Sequence, residues 1–475
     1  TAVVGDEAAL LPGSAMPCSS CHGSDGMGRP EGGVLPVDIR WSELVKTYGH
    51  GHENGRTHPA FDEASFARSM VGGVDPANNQ MDRSMPLYQM SADDMADLIA
   101  YMKVLEYDLD PGVDEQRVQV ATLLPLNGPS AGTGEAMARV MQGHFAEINA
   151  KGGVFGRRIE LLAVPLGNSP EDSLRNLDNA FTAEGVFALV GAYSIGMDEA
   201  LLTALRDDNV PLVAPFTLDP GDSFVDASAF YLYAGFDEQA RVLADRALAS
   251  GASAITVVAL DGARGERLGR AVKDPLRKTG GNVSVSYESY EAGALDAGRI
   301  GTIVEESESE ALVFLGGQPD LQSVLGDLAG RGELPGVYVL SSMMSGPLFD
   351  APVEFDGRIF VAYPTLSSDI TPKGREEYQQ LAANYSLPNE HIQAQLVAFA
   401  AAKLVVEGLR RAGRDLSRIR FVEGLEELYA FKTGVTPPLT FGPNRRIGAL
   451  GAHVVAVDIA NKRHARLENG WFDVQ

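Results

Sequence analysis

From residue 117 onward, short apolar runs alternate with longer segments in which apolar residues recur every three or four positions. Apolar runs of this length are typical of buried strands, and the longer period is typical of amphipathic helices. Their alternation indicates βαβ units and mainly parallel sheets. The first series predicts strands at 118–124, 159–164, 187–190 and 210–214, with helices at 134–150, 171–183 and 198–207.

A second series follows the first along the chain. It predicts strands at 254–260, 283–287, 311–315, 337–340 and 359–363, helices at 266–278, 296–307, from 320, at 372–385 and at 391–412, and a carboxy-terminal strand region at 447–457. Two α/β lobes of this kind place a cleft at the carboxyl ends of their strands, where open α/β sheets bind ligands.

The first 107 residues have a different pattern, and residues 108–116 form an acidic run with proline and glycine that is typical of a linker. Met95, Leu98, Ile99 and Met102 recur at helical spacing, which predicts a core-packed helix near 91–105 that Ser91 caps. We therefore predict domains at 1–107 and 117–475 joined by a linker at 108–116.

The two cysteines of the chain are Cys18 and Cys21, and His22 follows at once. The C-x-x-C-H spacing predicts covalent attachment of one c-type haem, with both thiols on nearly the same face of a helical turn. The alternatives are a redox-active thiol pair and half of a zinc site. A zinc site needs further ligands at matching spacing, and a redox pair should follow a strand, whereas the proline- and glycine-bearing run 12–17 precedes this one.

A His-ligated haem of this type commonly takes a methionine thioether as its second axial ligand. Among several methionines, Met85 precedes Pro86 in a stretch that should not be helical, which favours it as that ligand. His50, His52 and His58 are alternatives for ligation or a surface metal site, although their polar surroundings predict solvated loop histidines.

Composition and charge narrow the functional classes. The 475 residues carry 39 Lys and Arg against 64 Asp and Glu, a formal net charge of −25, which disfavours nucleic acid as a partner. No uninterrupted apolar run approaches the ~18 residues of a membrane helix, so we expect no membrane span.

A single large α/β enzyme domain would require a catalytic constellation. The sequence contains no P-loop and no H-E-x-x-H motif, and the larger module contains no cysteine for thiol chemistry. The segment 262–265 superficially resembles a phosphate loop but fits an ordinary βα turn. We therefore predict an electron carrier or binding protein rather than an enzyme.

Residues 18–106 resemble a class I cytochrome c in four motifs: Cys-Ser-Ser-Cys-His-Gly at 18–23, Gly-Gly-Val-Asp-Pro at 72–76, Met-Pro-Leu-Tyr at 85–88, and the closing helix. The resemblance implies an all-α domain with Cys18 and Cys21 as thioether anchors, His22 as the proximal iron ligand and Met85 as the distal one.

Residues 117–475 resemble the type I periplasmic solute-binding proteins of the Leu/Ile/Val receptor group. The resemblance rests on the segments 125–134, 147–161, 190–194, 210–217 and 315–320. It implies a two-lobed α/β fold. It also implies that Ser194, Phe216 and Thr217 hold a ligand carboxylate and that Asp320 meets an amino group. Plain helix capping by Ser194 and Thr217, and a surface role for Asp320, remain open.

One departure from that group concerns the ligand. Arg264 stands where receptors of this group usually carry an aromatic residue. An arginine directed into the cleft favours a second carboxylate or another anion. If Arg264 points to solvent instead, the cleft is a docking surface.

These features predict a periplasmic one-electron carrier whose receptor-like domain recognises a small anionic ligand or a redox partner, such as a periplasmic dehydrogenase. The alternative is a solute receptor for an importer, binding an amino acid or a carboxylate, with the haem domain as a redox tether or sensor. The chain begins at Thr1 without the charged and apolar segments of a signal peptide, so we expect a mature exported chain.

Overall fold

The computed structural model describes residues 1–4, 9–28, 33–52, 55–217, 219, 228–277 and 283–474. The chain forms two compact units, Thr1–Pro111 with Asp415–Phe421, and Gly112–Arg414 with Val422–Gln475. The boundary between Pro111 and Gly112 falls inside the predicted linker; the limits 1–107, 108–116 and 117–475 themselves stay predictions.

The first unit contains short helices and a few short strands. Its helices are α1 (Ser19–His22), α2 (Trp41–Leu44), α3 (Glu63–Gly72) and α4 (Ala92–Val104). Its strands β1 (Ala2–Val4), β2 (Ala9–Leu11) and β5 (Leu87–Tyr88) form an antiparallel sheet in the order β2-β1-β5, and β3 (His50–Gly51) pairs with β4 (Thr57–His58).

Helix α4 confirms the helix predicted near 91–105. The Ser91 side chain accepts a hydrogen bond from the Asp94 backbone N–H, and the Asp94 carboxylate accepts one from the Ser91 N–H, so the two residues form a capping box. Ile99 and Met102 are buried in the core of this unit, and Met95 packs against that core. The helical spacing of these apolar residues therefore reflects core packing, as predicted.

The first lobe of the second unit is a six-stranded parallel sheet in the order β16-β10-β9-β8-β6-β7. Its elements are β6 (Arg117–Leu124), α5 (Ala131–Ala150), β7 (Arg158–Pro165), α6 (Pro170–Glu184), β8 (Ala188–Val190), α7 (Asp198–Asp207), β9 (Leu212–Val213) and β10 (Ala229–Tyr233). The chain returns to this sheet with β16 (Ile447–Ala449).

The second lobe is a seven-stranded sheet in the order β12-β11-β13-β14-β15-β17-β18, in which the last two strands run antiparallel. Its elements are α8 (Phe236–Ala249), β11 (Ala254–Leu260), α9 (Ala263–Arg277), β12 (Ser284–Tyr290), α10 (Ala297–Glu306), β13 (Ala311–Leu315), α11 (Gln318–Arg331), β14 (Gly336–Leu340), β15 (Ile359–Tyr363), β17 (Gly451–Asp458) and β18 (Arg463–Asp473). Three further helices are α12 (Pro372–Asn384), α13 (Ile392–Ala412) and α14 (Arg418–Glu426).

Helix α8 and strands β10 and β18 are among the elements that were not predicted from the pattern. Helix α8 packs its face mainly through alanines such as Ala240 and Ala247, which give a weak apolar period. Strand β10 is a short apolar run, a pattern that does not distinguish strand from helix. Strand β18 lies at a sheet edge and mixes polar residues with Leu467, Trp471 and Phe472, so it lacks the apolar run of a buried strand.

Helix α13 is the one helix in the described part of the chain that is long and apolar enough, by length and composition, to cross a membrane. Of its most apolar window, 78% is buried inside the fold. A core helix of a globular domain meets the same criterion, so burial in the second unit accounts for its composition.

A loop of the first unit is organised around Asp75. The Asp75 carboxylate is fully buried and accepts hydrogen bonds from the backbone N–H groups of Ala77 and Asn79, both at 2.9 Å, from Asn79 Nδ2 at 3.0 Å, and from the Arg56 guanidinium at 2.9 Å. Burial opposes ionisation, but these donors outweigh it and hold the pKa of Asp75 below its ordinary value.

We expect Asp75→Asn to lower the unfolding free energy of the first unit by about 2 kcal/mol near neutral pH, because Arg56 loses its buried counter-charge. A lowered carboxyl pKa stabilises the fold above the unfolded pKa and stops doing so as pH falls through the folded pKa. The difference in unfolding free energy between Asp75→Asn and the natural chain should therefore become smaller at acidic pH. Urea titration of Trp41 fluorescence, in a Trp471→Phe background, measures it.

The matched control for that substitution is Asp97→Asn, which removes the same charge from an exposed position on α4. It should leave the unfolding midpoint almost unchanged. Equal effects of the two substitutions would show that the loop does not depend on the Asp75 contacts.

Candidate functional site

Helix α1 brings the cysteine pair and its histidine to one cavity. Cys18 precedes α1 with helical dihedral angles, and its carbonyl accepts hydrogen bonds from the N–H groups of Cys21, at 3.3 Å, and His22, at 2.9 Å. Cys18, Cys21 and His22 line a partly open cavity of about 690 Å³ with Met85 and Tyr88. All four residues predicted to hold a haem therefore face one space.

The His22 ring is oriented by a backbone contact. Its Nδ1 lies 2.8 Å from the carbonyl oxygen of Val37, and the side chain is buried. Burial lowers the pKa of His22, and the Val37 carbonyl partly offsets this. A neutral imidazole that donates through Nδ1 has its Nε2 lone pair available to a metal, and an outer-shell carbonyl commonly fixes a ligating ring in this way.

Met85 is held in a turn rather than a helix, as predicted. Its N–H donates to the carbonyl of Asp82 at 3.1 Å, and Pro86 leads directly into strand β5. Tyr88 on that strand donates to the Met16 carbonyl at 2.7 Å, and burial with the nearby cysteines raises the pKa of Tyr88 to about 12. The strand pairing thus fixes where the Met85 thioether lies.

A second cavity of about 790 Å³ shares His22, Met85, Met81 and Arg56 with the first. Both cavities are lined by the buried His22 imidazole and by the thioethers of Met81 and Met85, and the first is also lined by the two thiols. This donor set fits a covalently attached haem with histidine and methionine ligation. Met81 is a second thioether in the same space, so the assignment of Met85 stays a prediction.

The prediction of solvated loop histidines is wrong for His58, which is buried. The short hairpin β3–β4 pairs His50 with His58, and His52 Nε2 lies 3.0 Å from His58 Nε2. All three rings line the second cavity. Strand pairing brings the three histidine rings of this loop together. Among the residues that the structure describes, no group of three or more His, Cys, Asp or Glu side chains is arranged to hold a metal ion.

In the first lobe of the second unit, the donors predicted to hold a carboxylate already have partners in the chain. The N–H of Phe216 donates to Ala192 at 2.7 Å, that of Thr217 to Pro215 at 3.2 Å, and that of Ser194 to Phe216 at 3.3 Å. The roles of Ser194, Phe216 and Thr217 in ligand binding therefore stay predictions, and a ligand would have to displace these bonds.

The hydroxyl of Ser194 is also occupied. It donates to a carboxylate oxygen of Asp198 at 2.5 Å, and Thr217 hydrogen-bonds the same carboxylate. Asp198 is the first residue of α7, whose N-cap residue is Met197. Ser194 thus binds the first helical residue of α7 and is not the N-cap residue itself. Burial raises the pKa of Asp198, and these hydroxyl contacts only partly offset the effect.

Arg264 lies in the first turn of α9 and is 60% exposed, and its Nε donates to Asp219 at 3.2 Å. Arg267, one turn later, donates to the other oxygen of Asp219 and, at 3.0 Å, to Asp237. Asp219 lies between β9 and β10 of the first lobe, whereas α9 belongs to the second lobe. The ion pairs therefore cross the interlobe cleft.

Arg267 was missed by the sequence reasoning, although its spacing of three from Arg264 on a predicted helix is a readable signal. The Arg264 guanidinium also lies 5.7 Å from the ring centre of Phe236. Asp320, in the first turn of α11, accepts a hydrogen bond from the Tyr290 hydroxyl at 2.9 Å. Its role toward an amino group stays a prediction.

Residues 128–132 read Gly-Pro-Ser-Ala-Gly and so match the spacing of a hydrolase nucleophile elbow. Ser130 is the N-cap residue of α5 with φ −95°, not the strained conformation of such an elbow. The His391 ring contacts Thr133, with Nδ1 3.1 Å from Oγ1. The geometry therefore gives Ser130 a place at the start of a helix.

We expect Asp198→Asn to change how stability varies with pH. An acid whose pKa is raised in the fold costs stability as pH rises from its unfolded pKa through its folded pKa. The unfolding free energy of the variant, relative to the natural chain, should therefore increase by about 1 kcal/mol between pH 4 and pH 7. Urea titration of Trp471 fluorescence in a Trp41→Phe background reports it.

Glu199→Gln is the matched control, because it removes a charge from an exposed position in the same helical turn. It should show no such upward trend with pH. A flat difference for Asp198→Asn would contradict the raised pKa of that carboxyl group.

Comparisons with known proteins agree with this architecture. A family model described as periplasmic binding protein matches residues 117–462, and a model described as cytochrome c matches residues 14–106. The chain is 26% identical over 304 residues to a Leu/Ile/Val-binding protein, BraC3, of Rhizobium johnstonii, a match that covers 62% of this chain and 80% of that protein.

Solved structures show the same fold at low identity. A substrate-binding periplasmic protein from Ralstonia solanacearum is 22% identical, with a TM-score of 0.53 over 74% of this chain and 99% of that one. A branched-chain amino-acid ABC transporter protein from Thermus thermophilus, with bound valine, is 15% identical, with a TM-score of 0.55 over 75% and 97%. Both family resemblances seen in the sequence are confirmed. The chain belongs to the periplasmic binding protein family, and it carries a cytochrome c domain ahead of that fold.

Proposed function

We propose that the chain is a periplasmic electron-transfer protein whose receptor-like unit recognises a small anionic ligand or a redox partner. The observation that carries the electron-transfer part is the shared cavity of Cys18, Cys21, His22 and Met85. A single haem c held there would supply a one-electron couple, and ligation by both His22 and Met85 would favour electron transfer over oxygen or peroxide chemistry.

The chain's own residues have separate tasks in this proposal. Cys18 and Cys21 would anchor the group through thioether bonds, and the Val37 carbonyl holds the orientation of the His22 imidazole by accepting from Nδ1. Met85 provides a soft ligand that favours the reduced state. Most of the side chains that line the cavity are apolar, which would reduce the reorganisation of the surroundings when the charge changes.

The charge of the chain indicates what a redox partner should look like. With a net charge of −25, the protein attracts a basic docking face and repels an acidic one. We place the protein in the periplasm, where solute receptors and proteins with covalently bound haem operate. The partner we expect is a periplasmic protein, for example a dehydrogenase.

We expect Met85→Ala to lower the reduction potential of the purified protein by on the order of 100 mV, within the ~0.8 V over which axial ligands set haem potentials. The low-spin absorption spectrum of the six-coordinate state should be lost as well. Potentiometric titration followed by absorbance measures both changes in one sample.

Met81→Ala is the matched control, since Met81 lines the same two cavities. It should leave the potential and the spectrum close to those of the natural chain. If Met81→Ala changed the potential and the spectrum while Met85→Ala changed neither, the iron ligand would be Met81.

A second candidate function is a solute receptor for an importer, in which the haem domain is a tether or a sensor. The two-lobed fold shared with Leu/Ile/Val-binding proteins supports it. Tight calorimetric binding of one small metabolite would favour this function. A shift of the haem potential on binding would make the haem domain a sensor, because coupling between two sites is reciprocal.

A further inference from the structure

The interlobe cleft contains a pair of arginines whose counter-ion is supplied by the chain itself. Arg264 and Arg267 lie three residues apart on α9 and donate to the two different oxygens of the Asp219 carboxylate. A carboxylate held by two guanidinium groups through both oxygens has the contacts that a bound carboxylate ligand would have. Asp219 therefore occupies an anion site that α9 provides.

We propose that Arg264 and Arg267 form the anion-binding site of the receptor-like unit, and that Asp219 is a built-in competitor which a small carboxylate ligand displaces. This inference rests on the proposed function of that unit as a receptor for a small anionic ligand, and it names the residues and the ligand class. The proposal places the ligand carboxylate at helix α9 of the second lobe, whereas the sequence predicted that loops of the first lobe hold it.

The hydrogen bonds of the first lobe support this relocation. The N–H groups of Ser194, Phe216 and Thr217 all donate to carbonyls of the chain, and the Ser194 hydroxyl donates to Asp198. A ligand carboxylate near Asp198 would also meet a like charge. The second lobe instead offers two guanidinium groups, which remain charged at every physiological pH.

Asp219 is suited to displacement because of how it is held. Its side chain is 20% exposed, and that of Arg264 is 60% exposed, so solvent reaches the ion pair. Of the two pairs the one with Arg264 is the more exposed, and exposed pairs contribute little net stability. Arg267 also donates to the more buried Asp237, so one guanidinium stays in place when Asp219 leaves. The cost of exchanging one carboxylate for another is therefore small.

The exchange has a consequence for the lobes. Asp219 belongs to the first lobe and the arginines to the second, so the ion pairs hold the lobes together across the cleft. A free carboxylate would take over the arginines while releasing that link. A ligand can bind only those molecules in which Asp219 has left the arginines. The measured affinity is therefore lower than the affinity of the free site.

The test compares binding of succinate to the full haem-loaded chain and to Asp219→Asn, by calorimetry at low ionic strength. Asp219→Asn should bind succinate at least tenfold tighter than the natural chain, and added salt should weaken binding. A triple variant should lose this gain in succinate affinity; it combines Asp219→Asn with Arg264→Ala and Arg267→Ala. Succinamide, which is uncharged, should not bind to any of them.

Asp261→Asn is the matched control for net charge, because Asp261 is exposed at the end of β11 and its removal changes the total charge equally. It should bind succinate as the natural chain does. Asp219→Ser serves as a second variant if Asp219→Asn folds poorly. The inference is overturned if neither variant binds succinate more tightly than the natural chain, or if the arginine-free variant keeps the gain.

The haem absorption spectrum and potential, recorded on the same samples, separate this inference from the electron-transfer function. An unchanged spectrum with no gain in succinate binding would reject the arginine site and leave the electron-transfer function in place. A spectrum without low-spin haem would reject the electron-transfer function whatever the binding result.

Discussion

A buried polar group must find a partner, and the partners available inside this chain decide which groups are left for chemistry. The His22 ring shows this most clearly. Its Nδ1 is paired with the Val37 carbonyl, so only Nε2 remains for a metal. The same reasoning applied to the receptor-like unit gives a different result, because there the groups that a ligand would use are already paired with one another.

The two lobes differ in how easily their paired polar groups could be released to a ligand. In the first lobe, Ser194 and Thr217 are tied to Asp198, and their exchange for a ligand carboxylate would leave Asp198 without its hydroxyl donors. In the second lobe, Arg267 keeps Asp237 when Asp219 leaves. Leaving a partly buried carboxylate without its hydroxyl donors costs more than exchanging one carboxylate partner of a guanidinium group that keeps another. The energetic balance therefore favours an anion at α9.

The sequence predicted the architecture well where apolar patterns were strong. Strands β11, β13 and β15 begin and end at the predicted residues, because buried parallel strands have near-continuous apolar runs. Helix α8 escaped prediction because alanines form much of its buried face. The haem residues could be predicted because covalent haem attachment requires a fixed spacing of the two cysteines and the histidine along the chain.

The cleft was harder to predict, for a physical reason. Arg264 was noticed because it departs from a family pattern, but its partner Asp219 is 45 residues away and on the other lobe. Sequence periodicity carries no information on such pairings. His58 is a similar case, since its burial follows from the pairing of β3 with β4 rather than from its polar neighbours in the sequence.

Joining a redox group to a receptor does not by itself couple them. A ligand alters the haem potential only if it binds the oxidised and reduced forms with different free energy, and the reverse effect must be equal. The charge that changes is one electron, and exposed charges are screened over about 8–10 Å at physiological ionic strength. An anion at α9 beyond that range would sense the electron only through a change of conformation. Within the receptor-like unit, a ligand that displaces Asp219 would change the conformational equilibrium of the lobes, because it breaks an ion-pair link between them.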